Sequence, residues 1–408
     1  MLSGSNSITY FTLKIYQEEL KLYRIKTLNK ISNIGLAQLD RSRFQVGDDI
    51  ENPDGIIVRS AKMHDYEFPE ALRAIARAGA GTNNIPIDRC SEAGIVVFNT
   101  PGANANAVKE EVIFAMLAAS RHMMAGSDWV KAEAAAGGAV LTTMEKAKSN
   151  FVGPEIMGKT LGIIGLGAIG IKVADASIAL GMKVIGYDPY LSVNTALQLN
   201  SQVKVVANLD DLLRDSDYIT LHLPKNNSTI DTIDAAALSK VKGSVRIINL
   251  ARDGLVNEDA IIQALESGRV AAYVTDFPSS RIALAKNTIS LPHLGASTPE
   301  SEDNCAVMAA QEIQDYLENG NIRNSVNFPS VSMDRTGRSR VCVLHRNIPN
   351  MIAQVADVLG KDGLNVENLT NKSKGEMAYT MIDVNNKVEA AAIADLQAIE
   401  NVLRVRVL

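Results

Sequence analysis

The stretch LGIIGLGAIG, residues 161–170, decides the fold. The apolar run before the first glycine predicts a buried strand, and the glycine pattern predicts a tight turn from that strand into a helix. Gly165 allows the turn, Gly167 lets the backbone approach a pyrophosphate, and Gly170 lets the helix pack against the strand. Ala168 and Ile169 then open the helix, whose unpaired N–H groups suit phosphate oxygens. The pattern predicts a dinucleotide-binding α/β unit.

A second predicted strand, residues 183–187, ends at Asp188. A carboxylate at this place accepts hydrogen bonds from the adenosine ribose hydroxyls and repels a 2′-phosphate. No arginine follows Asp188 directly, so the sequence favours NAD over NADP. The motif indicates the cofactor and leaves the reaction open.

Length and composition set the outer limits. A chain of 408 residues predicts about three domains. A net charge of −5, with charges dispersed along the chain, argues against a nucleic-acid or anionic-membrane partner. The three cysteines, Cys90, Cys305 and Cys342, lack metal spacing, which indicates a reducing compartment such as the cytoplasm and no metal site. No segment has the apolar length of a membrane span, and residues 1–24 are interpreted as an N-terminal extension without a signal-peptide core.

Short apolar runs alternate with helical patterns through most of the chain, as is typical of an open α/β fold. Strands are predicted at 23–28, 55–58 and 94–98, and helices at 69–78 and 107–122. Further strands are predicted at 218–223, 245–249 and 270–275, followed by a helix that Thr298 caps. After a linker at 329–339, residues 340–408 follow a βαββαβ, ferredoxin-like pattern of their own.

Two strand ends carry groups that could do chemistry. Arg252 follows the 245–249 strand, and His293 follows a later one. A guanidinium binds the carboxylate of a 2-hydroxy or 2-oxo acid with two parallel hydrogen bonds, and an imidazole can exchange the hydroxyl proton near neutral pH. Taken singly, the two residues could equally be a surface ion-pair arginine and a histidine that caps a turn. Behind an NAD motif they favour hydride-transfer chemistry.

These motifs resemble those of the NAD-dependent D-2-hydroxyacid dehydrogenases. The shared elements are Gly165–x–Gly167–x–x–Gly170 with Asp188, Leu-Ala-Arg ending at Arg252, and Pro-His-x-Gly-Ala-Ser-Thr containing His293. Over residues 25–408 the chain is most similar to the phosphoglycerate dehydrogenase branch, which carries a C-terminal ACT domain. The resemblance implies two Rossmann-like doubly wound domains plus that ACT domain. The substrate domain would comprise 25–104 and 295–328, the NAD domain 105–294, and the ACT domain 340–408.

The resemblance also implies roles for individual residues. Arg252 would hold the substrate carboxylate and His293 would exchange the proton. Substrate phosphate would meet a basic loop, and the nicotinamide end of NAD would meet two strand ends. The residues concerned are Arg59, Ser60, Lys62 and Asn83 for the phosphate, and Leu223, Pro224 and Asp276 for the nicotinamide end. A solvated basic pair is the simpler interpretation of Arg59 and Lys62.

The ACT-like unit implies an effector. L-serine would bind between two copies of this unit, at His345, Asn347 and Asn365. The alternative is that these side chains only cap a helix and pair a strand edge. The branch pattern also implies a homodimer or homotetramer. The resulting prediction is NAD-dependent oxidation of 3-phospho-D-glycerate in serine biosynthesis, with feedback by L-serine.

Two departures from the family pattern bear on the chemistry. The family places a glutamate in the loop after the 270–275 strand to support the histidine, and here Ser280 aligns with it. The loss would weaken the hold on the imidazole proton by about 1.4 kcal/mol, unless Asp276 substitutes. Asp253 replaces a glycine and could compete for Arg252. Another 2-hydroxyacid dehydrogenase, for example one that reduces 2-oxoglutarate, and a non-catalytic NAD-sensing regulator therefore remain as alternatives.

Overall fold

The computed structural model describes residues 22–408, so residues 1–21 of the predicted extension lie outside the described part. The first strand begins at Tyr23, inside the stretch interpreted as extension. The strands are β1 Tyr23–Leu28, β2 Phe44–Gly47, β3 Gly55–Val58, β4 Ala74–Arg77, β5 Val96–Phe98, β6 Thr160–Ile164, β7 Lys183–Tyr187, β8 Val203–Val205, β9 Tyr218–Leu221, β10 Val245–Asn249, β11 Val270–Thr275, β12 Thr288–Ser290, β13 Ser339–Arg346, β14 Val366–Lys374, β15 Met377–Val384 and β16 Val402–Val407.

A short 3₁₀ turn, Lys148–Phe151, follows the fifth helix. The α-helices are α1 Asn33–Leu36, α2 Ile87–Glu92, α3 Ala105–Arg121, α4 Met123–Ala135, α5 Val140–Ala147, α6 Ala168–Ala179, α7 Val193–Ala196, α8 Leu209–Asp215, α9 Ala235–Lys240, α10 Glu258–Glu266, α11 Ser280–Leu284, α12 Pro299–Asn319, α13 Met351–Lys361 and α14 Ala390–Ala398.

Two parallel sheets and one antiparallel sheet carry the fold, as predicted. The first has the order β2-β1-β3-β4-β5 and the second β12-β11-β10-β9-β6-β7-β8. In the second, Ile247 and Ile248 are adjacent and fully buried, yet they belong to different apolar clusters. Both faces of this sheet are therefore covered, which is the doubly wound arrangement.

The chain divides into two compact units, one made of residues up to Arg77, 83–98 and 309–408, the other of 78–82 and 99–308. The first unit contains the five-stranded sheet and the C-terminal sheet, and the second contains the seven-stranded sheet. The predicted domain limits, 25–104 with 295–328, 105–294 and 340–408, stay predictions.

The C-terminal sheet has the order β14-β15-β13-β16, with α13 and α14 packed on its apolar cluster. This is the predicted βαββαβ pattern. Arg340 and Arg406 donate hydrogen bonds to the carbonyls of Asn319, Tyr316 and Leu317, at the end of α12. The two cations thus stabilise the negative end of that helix dipole and fix the C-terminal sheet to it.

The helix predicted at 69–78 is wrong. β4 runs from Ala74 to Arg77 in its place, and Ala74, Ile75 and Ala76 are fully buried between β3 and β5. A short run of alanine and isoleucine is compatible with a helix or with a central parallel strand, and only the neighbouring strands decide between them.

Candidate active site

The dinucleotide loop has the geometry that its glycines predict. Gly165 has a φ of +97°, and a Cβ there would lie 2.5 Å from the carbonyl oxygen of His222. A Cβ on Gly170 would lie 2.1 Å from the carbonyl oxygen of Gly165, so this helix position packs directly on the turn. Around Gly167 no described atom lies within 4 Å of such a Cβ. The loop therefore leaves open space where a pyrophosphate would approach, and α6 begins at the next residue, Ala168.

Asp188 follows β7 and faces this loop. Its Oδ2 accepts a hydrogen bond of 2.9 Å from the backbone N–H of Leu166, and its Oδ1 accepts one from Tyr190. Both carboxylate oxygens are held in place, and each has a lone pair left for a ribose hydroxyl. Leu166 and Asp188 thus connect the glycine turn with the acid that favours NAD.

The other predicted residues of this unit follow neighbouring strands at the same edge of the sheet. Leu223 and Pro224 follow β9, Arg252 follows β10, Asp276 follows β11 and His293 follows β12. The carboxyl ends of parallel strands meet at one edge, where doubly wound sheets bind ligands. The structure therefore gathers all of these predicted residues at one edge.

Arg252 is half-buried, and its Nη1 donates a 2.6 Å hydrogen bond to the carbonyl of Ala251. The Asn249 side chain donates to the carbonyl of Arg252 and fixes the turn. Asp253 pairs with Lys225 at 2.5 Å. Among the described residues, Asp253 thus pairs with Lys225, and the predicted competition for Arg252 is not observed.

Asp276 is an acidic residue that interacts electrostatically with both Arg252 and His293. It is 4% exposed, and its Oδ1 has no hydrogen-bond partner among residues 22–408. Burial raises the pKa of Asp276, while the positive charges of His293 and Arg252 act to lower it. The His293 ring is exposed and lies 4.4 Å from the Phe277 ring, centroid to centroid. Ser280, by contrast, is exposed at the start of α11.

Sequence reasoning missed one acidic residue at this edge. Glu111 of α3 has a buried Oε2 without a hydrogen-bond partner in the described part of the chain. Burial, and secondarily the charge of Asp276, raise the pKa of Glu111 to about 7. The helical pattern of α3 contained no signal for this, because the carboxylate is enclosed by segments that are distant in sequence.

The basic loop of the other unit follows β3. Asn29 accepts hydrogen bonds from the backbone N–H groups of Ser60 and Ala61 through its side-chain oxygen. The Asn84 amide donates to the carbonyl of Ala61 at 2.9 Å. Arg59 is half-buried and Ser60, Lys62 and Asn83 are exposed. The loop is thus held by side chains on both sides.

A further cation, which the sequence did not indicate, contacts this loop. Arg77, at the end of β4, donates through Nε to the carbonyl of Arg59 at 3.2 Å. The strand order places β3 next to β4, so their carboxyl ends, and with them Arg59 and Arg77, are adjacent. A helix at 69–78, as predicted, would not have placed Arg77 beside Arg59.

In the C-terminal sheet, a cavity of about 430 Å³ is lined by His345, Asn347 and the start of α13. His345 is 2% exposed; its Nε2 lies 2.8 Å from Thr380 Oγ1, which in turn lies 2.8 Å from Asn371 Oδ1. Asn371 lines the cavity as well. Asn365 lies outside it, with its N–H bonded to Asn385. Two of the three predicted effector residues are therefore together, and Asn371 is an addition.

Within residues 22–408, no group of three or more His, Cys, Asp or Glu side chains is arranged to hold a metal ion. In that same range no helix combines the length and apolar character that a membrane crossing needs. The three cysteines are buried and unpaired.

Comparison with known proteins agrees with this geometry. Residues 113–295 match the NAD-binding domain of the D-isomer specific 2-hydroxyacid dehydrogenases. The chain is 33% identical over 350 residues to a D-3-phosphoglycerate dehydrogenase of Synechocystis, covering 83% of this chain and 60% of that protein. A D-3-phosphoglycerate dehydrogenase of Archaeoglobus fulgidus is 36% identical over 300 residues, covering 71% of this chain and 54% of that protein. The chain spans less than two thirds of the length of these curated relatives.

Among solved structures, the chain is similar to an NAD⁺-bound 3-phosphoglycerate dehydrogenase of Entamoeba histolytica, with a TM-score of 0.58 and 26% identity over 75% of this chain and 99% of that one. The chain combines parallel α/β sheets with an NAD loop, and an arginine and a histidine follow strand ends of the same sheet. Together these features are those of a nicotinamide-binding protein. Over residues 113–295 this chain is similar to the D-2-hydroxyacid dehydrogenase family. Its NAD-binding domain is the one that the seven-stranded sheet builds.

Proposed function

We propose that this protein is an NAD-dependent D-3-phosphoglycerate dehydrogenase, which oxidises 3-phospho-D-glycerate to 3-phosphohydroxypyruvate in the biosynthesis of L-serine. The observation that carries the proposal is the gathering of Arg252, Asp276 and His293 at the sheet edge that also bears the dinucleotide loop. The similarity to phosphoglycerate dehydrogenases supports the choice of substrate.

Each group has a task in this reaction. Arg252 binds the substrate carboxylate and, in the reduction direction, polarises the C2 carbonyl for hydride addition. The imidazole of His293 takes the proton of the C2 hydroxyl during oxidation and returns it during reduction. The loop of Gly165–Gly170 and Asp188 would hold NAD, which would supply the hydride acceptor for C2. Asp276 stabilises the positive charge of His293 after it has taken the proton.

The Arg59 loop would bind the substrate phosphate. Arg59 and Lys62 supply fixed positive charge, and Ser60 and Asn83 supply neutral donors. Asn29 and Asn84 already hold the loop, so less conformational freedom is lost on binding. The loop favours a substrate with a second anionic group, and a phosphate carries more negative charge than the distal carboxylate of 2-oxoglutarate.

A substrate comparison tests the proposal. Arg59→Ala should raise KM for 3-phosphohydroxypyruvate by about 10- to 100-fold, because a charge-assisted contact contributes about 1.5–3 kcal/mol. KM for NADH should stay within about twofold of the wild-type value. Arg41→Ala is a matched control, since Arg41 is an exposed arginine outside this loop. Faster turnover of 2-oxoglutarate than of 3-phosphohydroxypyruvate, unchanged by Arg59→Ala, would contradict the proposed substrate.

Feedback by L-serine is the second part of the proposal. The cavity beside His345, Asn347 and Asn371 offers amide and imidazole groups suited to an amino acid. Serine inhibits only if it favours one domain arrangement over another. Inhibition of the wild type that His345→Ala abolishes would support this part, and turnover unaffected by serine would remove it while leaving the enzyme proposal intact.

A homo-oligomer is the third part. Helices α4 and α5 contain no buried residue, and some of their apolar side chains are largely exposed to solvent. Met123 is 64% exposed and Leu141 is 80% exposed. Val152, just beyond them, is 73% exposed. An apolar surface of this kind is typical of one that a second copy covers. Light scattering should give a dimer or tetramer, and Leu141→Glu should shift it toward the monomer; a monomeric wild type would contradict the expectation.

A further inference from the structure

Glu111 contacts the loop that carries His293. It lies in the second turn of α3, between Val108 and Val112 of the buried core. A Cβ on Gly295 would lie 2.6 Å from Glu111 Oε2 and 3.4 Å from Val108 Cγ2. The absence of a side chain at Gly295 thus lets the carboxyl group lie directly against the backbone, two residues after His293.

Asp276 is the charged group that faces Glu111 from the end of β11. Asp276 in turn interacts with Arg252, after β10, and with His293, after β12. One oxygen of each acid, Glu111 Oε2 and Asp276 Oδ1, is buried without a hydrogen-bond partner among the described residues. On α3 itself, the neighbouring Lys109 and Glu110 pair with each other at 3.5 Å.

Two interacting carboxyl groups, each with a buried oxygen, titrate as a pair, and one of them keeps its proton to a higher pH than usual. Burial and Asp276 raise the pKa of Glu111 to about 7. Glu111 therefore holds its proton at mildly acid pH. Above neutral pH the pair carries a second negative charge beside the His293 loop.

We propose that Glu111 and Asp276 together form the acidic partner of His293, in place of the glutamate that the family has in the loop after β11. This inference rests on the proposed role of His293. Asp276 offsets the charge of the protonated imidazole, and Glu111 is a positioning residue that acts through Asp276 and Gly295. Ionisation of Glu111 then adds a negative charge beside the His293 loop at neutral and alkaline pH, where the reduction reaction requires a protonated imidazole.

The pH dependence of kcat for reduction of 3-phosphohydroxypyruvate by NADH tests the inference. Glu111→Gln keeps the shape of the side chain and removes its ionisation. We expect the alkaline limb of the profile to move to lower pH by about half a unit to one unit, which lowers kcat at pH 8 by about 3- to 10-fold. At pH 6, where Glu111 is already neutral, kcat should stay within about twofold of the wild type.

Three variants complete the experiment. Glu110→Gln, on the exposed neighbour of Glu111, should leave the profile unchanged. Glu111→Asp keeps an ionisable group and should restore the alkaline limb in part, which a purely structural role would not predict. Gly295→Ala places a methyl group against the carboxyl and should move the limb in the same direction as Glu111→Gln, so it provides a second test if Glu111→Gln folds poorly.

Superimposable profiles for the wild type and Glu111→Gln would overturn the inference. His293→Gln separates this failure from that of the proposed function. If His293→Gln is inactive while Glu111→Gln matches the wild type, only the carboxyl pair is wrong. If His293→Gln is as active as the wild type, the proposed proton transfer itself fails.

Discussion

Gly167 and Gly170 differ in what surrounds them, and the same substitution should therefore change different properties of the protein at the two positions. A methyl group on Gly170 would lie 2.1 Å from the Gly165 carbonyl oxygen and 3.3 Å from Ile163 Cγ2. Heavy atoms need about 3 Å or more, so the turn must move by roughly 1 Å. Overpacking of this kind should lower the free energy of unfolding in Gly170→Ala by about 2 to 3 kcal/mol.

Gly167→Ala is the matched comparison. No described atom lies within 4 Å of the added methyl group, and the φ of −74° suits alanine. The free energy of unfolding should stay within about 1 kcal/mol of the wild type. The methyl group would occupy the space that a pyrophosphate needs, so Kd for NADH should rise at least about tenfold, or 1.4 kcal/mol.

Urea unfolding without cofactor and fluorescence titration with NADH measure the two quantities. The single tryptophan, Trp129, lies in α4 of the unit that contains this loop and reports on its unfolding. A Gly167→Ala protein that binds NADH as tightly as the wild type would refute the assignment of the open space to the pyrophosphate. Equal destabilisation by both substitutions would refute the difference in packing.

Three further predictions concern acids. Burial raises the pKa of Glu312 to about 8, so the stability that its protonated form contributes is complete below about pH 4.5 and is lost as pH rises through 8. Urea unfolding should therefore show Glu312→Gln to be more stable than the wild type by up to about 4 kcal/mol at pH 9. At about pH 4.5 the two proteins should be equally stable. Asp383 binds Arg340 through two hydrogen bonds in a fully buried pair, so Asp383→Asn should destabilise the C-terminal sheet by about 3–5 kcal/mol, measured by thermal unfolding. Ser280→Glu should change kcat by less than about twofold between pH 6 and 8, because Ser280 is exposed and Glu111 and Asp276 already provide the acidic partner of His293. A large increase in kcat would contradict this prediction.

The sequence predicted the parts of the site that depend on local geometry. The glycine turn, Asp188 and the strand-end positions of Arg252 and His293 follow from strand-to-helix patterns that a few adjacent residues encode. The cap of α12 is similarly local, since Thr298 Oγ1 accepts a hydrogen bond from the N–H of Ser301.

The parts that were missed depend on contacts between distant segments. Glu111 belongs to a regular helical pattern, and its burial arises from Gly295 and Asp276, which lie far along the chain. Arg77 joins the basic loop only because β4 pairs with β3, in a segment whose composition also suits a helix. The side chain of Asn365 was assigned by resemblance alone, and its loop lies outside the cavity that His345 lines.

Consumption of NADH by the purified protein with 3-phosphohydroxypyruvate, compared between the wild type and Arg252→Ala, tests the central claim most directly. We expect turnover in the wild type and a loss of at least about 100-fold in Arg252→Ala, since both the carboxylate contact and the polarisation of C2 disappear. Turnover by the wild type no greater than that of Arg252→Ala would contradict the assignment of this sheet edge as a hydride-transfer site.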